Sequence, residues 1–151
     1  MEKNEEFYMK RALELARQGE SEGEVPVGAV LVHNEKITGE GYNRVIKDSN
    51  PTAHAEIIAL EQGGSRLDNY RLNGSVLYVT LEPCIMCYTA AVNARVEKIV
   101  YSTEDPKTGI FSTGAFEKID KIFNHRIEIG SGILKNESSK LLKDFFKKKR
   151  K

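Results

Sequence analysis

Cys84 and Cys87 stand three residues apart in Pro83-Cys84-Ile85-Met86-Cys87, and His54 stands two before Glu56 in His54-Ala55-Glu56. Residues i and i+3 share a helix face, so a helix starting here would present both thiols together. The free N–H groups and positive dipole of a helix start favour the thiolate, the form that binds metal. Two thiolates and an imidazole select zinc over magnesium or calcium. Three protein ligands leave one tetrahedral position for water, the arrangement of a catalytic zinc rather than a closed structural one. Thiolates offset much of the dication's charge and leave its water less acidic. A carboxylate beside it is then useful to take a proton and return it, and Glu56 is the candidate. Helical residues two apart point about 200° from each other. His54 and Glu56 can therefore serve one site only if it lies beyond the helix end, and the expected site faces two helix N-termini.

The elements that would position these residues follow from periodicity. An amphipathic helix is predicted over 5–17, with Tyr8, Ala12, Leu15 and Ala16 on one face and Gly19 and Gly23 ending it. Residues 26–33 and 36–41 read as a hairpin turned at Asn34-Glu35. Asn50-Pro51 breaks the chain, Thr52 is the expected N-cap of a helix over 53–62, and Gly63-Gly64 closes it. Residues 75–80 form a buried strand. A helix to about Arg95 follows, with Pro83 in its first turn, and then a strand over 97–101; this strand–helix–strand unit should be parallel. A short helix over 116–123, a strand over 126–129 and a basic aromatic helix over 138–149 complete the order. The expected fold is three-layer α/β, a mixed sheet of about five strands with helices on both faces, in a single domain over 1–151.

Composition narrows the class further. The net charge of +1 argues at first against a polyanion partner. Residues 140–151, however, hold seven basic residues and one acid, so that segment carries +6 and the rest of the chain −5. An acidic body with a basic tail is a different object from a neutral one. No apolar run approaches the roughly 20 residues of a membrane span, and the acidic N-terminus has no signal-peptide core. Two cysteines cannot make a disulfide framework, and a reducing cytoplasmic setting is expected, with no disulfide partner and no membrane.

The pattern H-x-E followed by P-C-x-x-C is the signature of zinc-dependent nucleobase deaminases. With PTAHAEI at 51–57, LYVTLEPCIMC at 77–87, DPKTG at 105–109, NHR at 124–126 and LLKDFF at 141–146, nearly the whole chain resembles the bacterial tRNA-specific adenosine deaminases. These belong to the cytidine/deoxycytidylate deaminase superfamily. The resemblance implies a cytidine-deaminase-like fold and one zinc per subunit on His54, Cys84 and Cys87. It implies hydrolytic deamination of the wobble adenosine, position 34, to inosine, the usual bacterial target being the arginine tRNA with anticodon ACG. Glu56 would protonate N1 and then the leaving ammonia after a zinc-activated water attacks C6. It also implies a homodimer on a tRNA anticodon stem-loop, with Asn43 at the nucleoside and the backbone around Ala55 and Cys84 near the base.

An RNA substrate fits the tail. Phe145 and Phe146 can stack on splayed bases while Lys147, Lys148, Lys149, Arg150 and Lys151 track phosphates. One phenylalanine is expected to face RNA and the other the body. Asp105 could accept from a ribose 2′-OH, and Arg44 and His125 are further candidate contacts. Plainer readings stand beside these. The cysteines could belong to a structural zinc completed by His33 or His125. Asn43 could cap a turn before Arg44, Asp105 as a carboxylate would repel phosphates, and Met86 could be core. The rival functions are deamination of a free nucleobase or nucleoside (cytosine, cytidine, guanine) and a non-catalytic zinc/RNA-binding module.

Overall fold

The computed structural model describes residues 4–150; Lys151, the last residue of the basic tail, lies outside the described residues. Ten elements follow in the expected order: α1 (Glu5–Ser21), β1 (Gly28–His33), β2 (Lys36–Tyr42), α2 (Ala55–Leu67), β3 (Ser75–Leu81), α3 (Ile85–Asn93), β4 (Lys98–Thr103), α4 (Ala115–Ile119), β5 (Glu128–Ser131) and α5 (Lys135–Lys149). A 3-10 turn, Asp120–Ile122, extends α4. The sheet order is β2-β1-β3-β4-β5. β1 runs antiparallel to both β2 and β3, while β3, β4 and β5 are mutually parallel.

The middle strands are apolar on both faces because both are covered. Val30, Val32, Tyr78 and Val100 pack against Tyr8, Met9, Ala12 and Leu15 of α1. The alternate residues, Ala29, Leu31, Leu77, Val79, Ile99 and Tyr101, pack with Ala55 and Ala59 of α2 and Tyr88 and Ala91 of α3. These two cores make the three layers. The hairpin turns at Asn34 and Glu35, whose φ values of 51° and 63° are both positive, as a two-residue hairpin turn requires.

Several boundaries differ from expectation for identifiable reasons. Thr52 does not cap α2, because its N–H and hydroxyl both bond to Asn50 Oδ1 at 3.0 and 2.9 Å. His54 is the N-cap instead. Gly63 and Gly64 lie inside α2; a Cβ on Gly63 would come within 2.3 Å of Leu31 Cδ2, so packing rather than termination explains that glycine. Gly19 likewise lies within α1, against Tyr42. Pro83 precedes the N-cap of α3, which is Cys84, and α5 begins at Lys135. Met86 is half-buried rather than core.

A close approach of helix to sheet sets where α2 starts. α2 lies on β2 through Gly39 and Gly41, where a Cβ would stand 2.1 Å from Ala59 O and 2.4 Å from Ala55 O. The second carbonyl belongs to the first turn of α2. Gly41→Ala should therefore push the start of α2 off the sheet, costing about 1–3 kcal/mol, read as a Tm drop of several degrees. Faster metal loss to a chelator should accompany it. An unchanged Tm would show that α2 can shift freely on β2.

Candidate metal centre

His54 and Cys84 are both N-cap residues with extended backbone, and neither side chain caps its own helix. Both helix starts are thus turned toward one point, with their side chains directed at a ligand instead of at the helix. At the N-cap, His54 is not on the helical wheel, so the conflict between positions i and i+2 disappears and Glu56 can lie beside it. The donor atoms of His54, Cys84 and Cys87 all lie within 4.8 Å of one another. Cys84 Sγ and Cys87 Sγ are 3.7 and 3.5 Å from His54 Nδ1. Tetrahedral zinc, with bonds of about 2.3 Å to sulfur and about 2.0 Å to nitrogen, places such atoms about 3.5 Å apart. The donor set and its spacing fit zinc, and neither His33 nor His125 joins the cluster.

The titratable groups are set against one another. Hydrogen bonding from Cys87, assisted by His54, brings the Cys84 thiol down to about 4. The same shared bond, together with burial, holds the Cys87 thiol well above the ordinary thiol range. His54 is raised by its bond to Cys84. Three donors here compete for protons that a dication would displace. Glu56 is buried at 4% exposure, and burial pushes its carboxyl up to about 7. It lies within hydrogen-bonding reach of Cys87.

A match to a family model agrees with this geometry. Residues 2–103 match the cytidine and deoxycytidylate deaminase zinc-binding region. The chain belongs to that family of zinc deaminases. A tRNA-specific adenosine deaminase of Haemophilus influenzae is 48% identical over 97% of this chain and 85% of its own. A structure solved in studies of A-to-I editing by tRNA:A34 deaminases at the wobble position of transfer RNA aligns at TM-score 0.85. It is 37% identical and covers 90% of this chain and 99% of that one. A guanine deaminase from Bacillus subtilis aligns at TM-score 0.65 with 36% identity, over 75% of this chain and 69% of that one. As in other zinc deaminases of the family, His54, Cys84 and Cys87 are placed to hold the metal.

The other expected residues of this deaminase are placed less uniformly. Asn43 Oδ1 accepts the N–H of Ala55 at 2.8 Å, so two expected substrate contacts are bonded to each other. The reason is structural: His54 does not cap α2, and Asn43, just beyond β2, does so in its place. Arg44 pairs with Asp48 through two nitrogens, each at 3.1 Å. Asp105 caps its own loop, accepting from the N–H groups of Lys107 and Thr108 and from the Thr108 hydroxyl at 3.1, 3.2 and 2.7 Å. His125 Nε2 bonds Val96 O at 2.8 Å. Val96 precedes β4, whereas the metal centre follows the far end of β3, about 20 Å along the strands. His125 is therefore not brought to the centre of its own chain. Phe145 is buried and Phe146 is 45% exposed, so of the two rings Phe146 is the one open to solvent. Lys147, Lys148, Lys149 and Arg150 are exposed at the end of α5.

Two buried acids have no counterpart among the sequence-based candidates, Glu24 and Glu82, each 2% exposed. Glu24 accepts from the N–H groups of Ile46 and Lys47 at 3.1 and 2.9 Å, and Glu82 organises the segment 105–112. Their signal in the sequence is a glutamate adjoining an apolar strand, in E-VPVGAVLV and in LYVTL-E-P.

The raised carboxyl of Glu56 makes the zinc-stripped protein sensitive to pH. Below its ordinary value of 4.5, folded and unfolded states both hold the proton and nothing is lost. As pH rises from there through about 7, the unfolded chain releases the proton more readily, and stability falls. Glu56→Gln should therefore raise the Tm of the stripped protein increasingly from about pH 5 to about pH 8. A difference independent of pH would contradict the assignment.

Proposed function

We propose that this chain, as a cytoplasmic homodimer, converts the wobble adenosine at position 34 of a tRNA anticodon to inosine, chiefly in the arginine tRNA with anticodon ACG. One observation carries the reading. The three-donor centre with buried Glu56 occurs in a chain 48% identical, over 97% of its length, to a tRNA-specific adenosine deaminase. When bound, zinc supplies an activated water for hydrolysis at C6.

The chain's own residues supply the rest. His54 Nδ1 and the two thiolates hold the metal. Burial raises the Glu56 carboxyl of the metal-free chain to about 7, which puts it within reach of proton exchange with a bound substrate. As a carboxylate Glu56 would take a proton from the attacking water and give it to N1 of the purine, then take the proton of the new C6 hydroxyl and give it to the leaving amine. Asn43, its Oδ1 fixed on Ala55, keeps its Nδ2 for the nucleoside. A base outside its stack needs a bounded pocket. The segment 44–50 would bound it on one side, since Arg44 N–H bonds Ala53 O beside His54.

RNA contact falls mainly to α5. Phe146 offers a stacking face, and Lys147 to Arg150 follow the phosphates. A groove of about 730 Å³ separates Leu142, Phe146, Lys149 and Arg150 from Pro106, Lys107 and Thr108. It gives an anticodon loop a seat that a free base would not need. With three bonds accepted, the Asp105 carboxylate retains one lone-pair position for a 2′-OH. Dimerisation is supported by a second groove, of about 830 Å³, where Ile57, Leu60 and Ala90 of α2 and α3 lie beside Tyr70, which is 75% exposed. No helix among the described residues is long and apolar enough to cross a membrane.

Steady-state deamination of an anticodon stem-loop tests the reading. Glu56→Ala should lose at least about 100-fold in kcat with zinc retained. Deleting residues 147–151 should raise KM and flatten its salt dependence. Retained activity in the first variant, an unchanged salt slope in the second, or equal turnover of free adenosine, cytidine or guanine would each contradict it.

A further inference from the structure

Glu82 ends the apolar run of β3 and stands two residues before Cys84. Its carboxylate accepts the N–H groups of Asp105, Phe111 and Ser112 at 2.9, 2.7 and 2.8 Å, together with the Ser112 hydroxyl. All four donors come from the single segment 105–112. Its own N–H is tied to Thr103 O at 2.8 Å, so the carboxylate is anchored on the sheet while the segment folds around it. Burying an anion is costly unless hydrogen bonds replace its hydration. Here the replacement donors are mostly backbone amides turned inward, a shape that only an acceptor at that point sustains. Gly109 shows how closely the segment wraps: a Cβ there would stand 2.3 Å from Glu82 Cδ.

The segment has two ends with different neighbours. At one, Gly109 bridges Cys84 and Ile110 N–H bonds Pro83 O at 3.0 Å, next to the metal centre. At the other, Pro106, Lys107 and Thr108 form the wall that faces Phe146, Lys149 and Arg150 across the groove. We infer that Glu82 is a positioning residue for RNA: through the segment 105–112 it sets the distance between the metal centre and the basic aromatic groove. It governs how well an anticodon loop seats, and it leaves the chemical step to Glu56. The inference rests on the tRNA reading above.

The test uses zinc-loaded protein with an anticodon stem-loop and rates expressed per bound zinc. Glu82→Gln keeps the shape but turns an acceptor into a donor facing donors. Gly109→Ala disturbs the same contact from the loop side, and Ser112→Ala removes one donor. Each should keep one zinc per chain and a kcat within about twofold, while KM rises about tenfold for the first two and less for the third. Combined with deletion of residues 147–151, Glu82→Gln should raise KM by less than the product of the separate effects, because both act on one groove. A purely structural glutamate would lower Tm and leave KM per bound zinc unchanged. That result overturns the inference, as does a fall in kcat at constant KM or a fully multiplicative double variant. If Glu82→Gln does not fold, Gly109→Ala and Ser112→Ala carry the test. Failure of the unaltered chain on the stem-loop would refute the tRNA reading itself, before any variant is compared.

Discussion

Two helix N-termini must meet within the span of a single metal ion, and much of this fold can be traced to that requirement. α2 and α3 start from different connections, one after a hairpin and one after a parallel strand, yet their first residues place three donor atoms within 4.8 Å. Both N-cap positions are given to ligands, so the usual side-chain caps are lost. Asn43 replaces one of them across the chain. Gly39 and Gly41 let α2 descend onto β2 far enough for its start to arrive at the right place. In the metal-free chain the bond from Cys87 favours the Cys84 thiolate, while burial raises the neighbouring Glu56 carboxyl to about 7.

The same constraint explains the charge distribution. Glu24, Glu56 and Glu82 are all buried. Glu24 and Glu82 are cores around which loops fold, and Glu56 is buried beside the metal centre, so a lysine at any of the three would bury an unpaired cation. Positive charge is gathered instead on α5, whose last turn carries Lys147, Lys148 and Lys149. A net charge of +1 conceals this division, and its sign along the chain is the informative quantity.

Element order, the parallel β3-α3-β4 unit and the metal ligands are legible in the sequence because each rests on local pattern: alternation, helical spacing, and soft donors three residues apart. The boundaries of α2 are not. Thr52 looks like a cap until Asn50 is seen to claim its hydroxyl, and Gly63-Gly64 looks like a stop until Leu31 is seen to need the space. Asn43, Arg44 and Asp105 are legible as polar residues near the site, but their principal bonds are to Ala55, Asp48 and Thr108, partners that spacing does not reveal. Glu24 and Glu82 escape notice because an isolated glutamate beside an apolar strand carries no periodic signal. Only the amides gathered around each one show what it does.

The most direct measurement is to incubate the zinc-loaded chain with total bacterial tRNA and sequence the product for adenosine-to-inosine changes at every position. Inosine confined to position 34, foremost in the arginine tRNA with anticodon ACG, is the expected result. Inosine scattered over other adenosines, conversion of cytidine instead, or no change in any tRNA would contradict it.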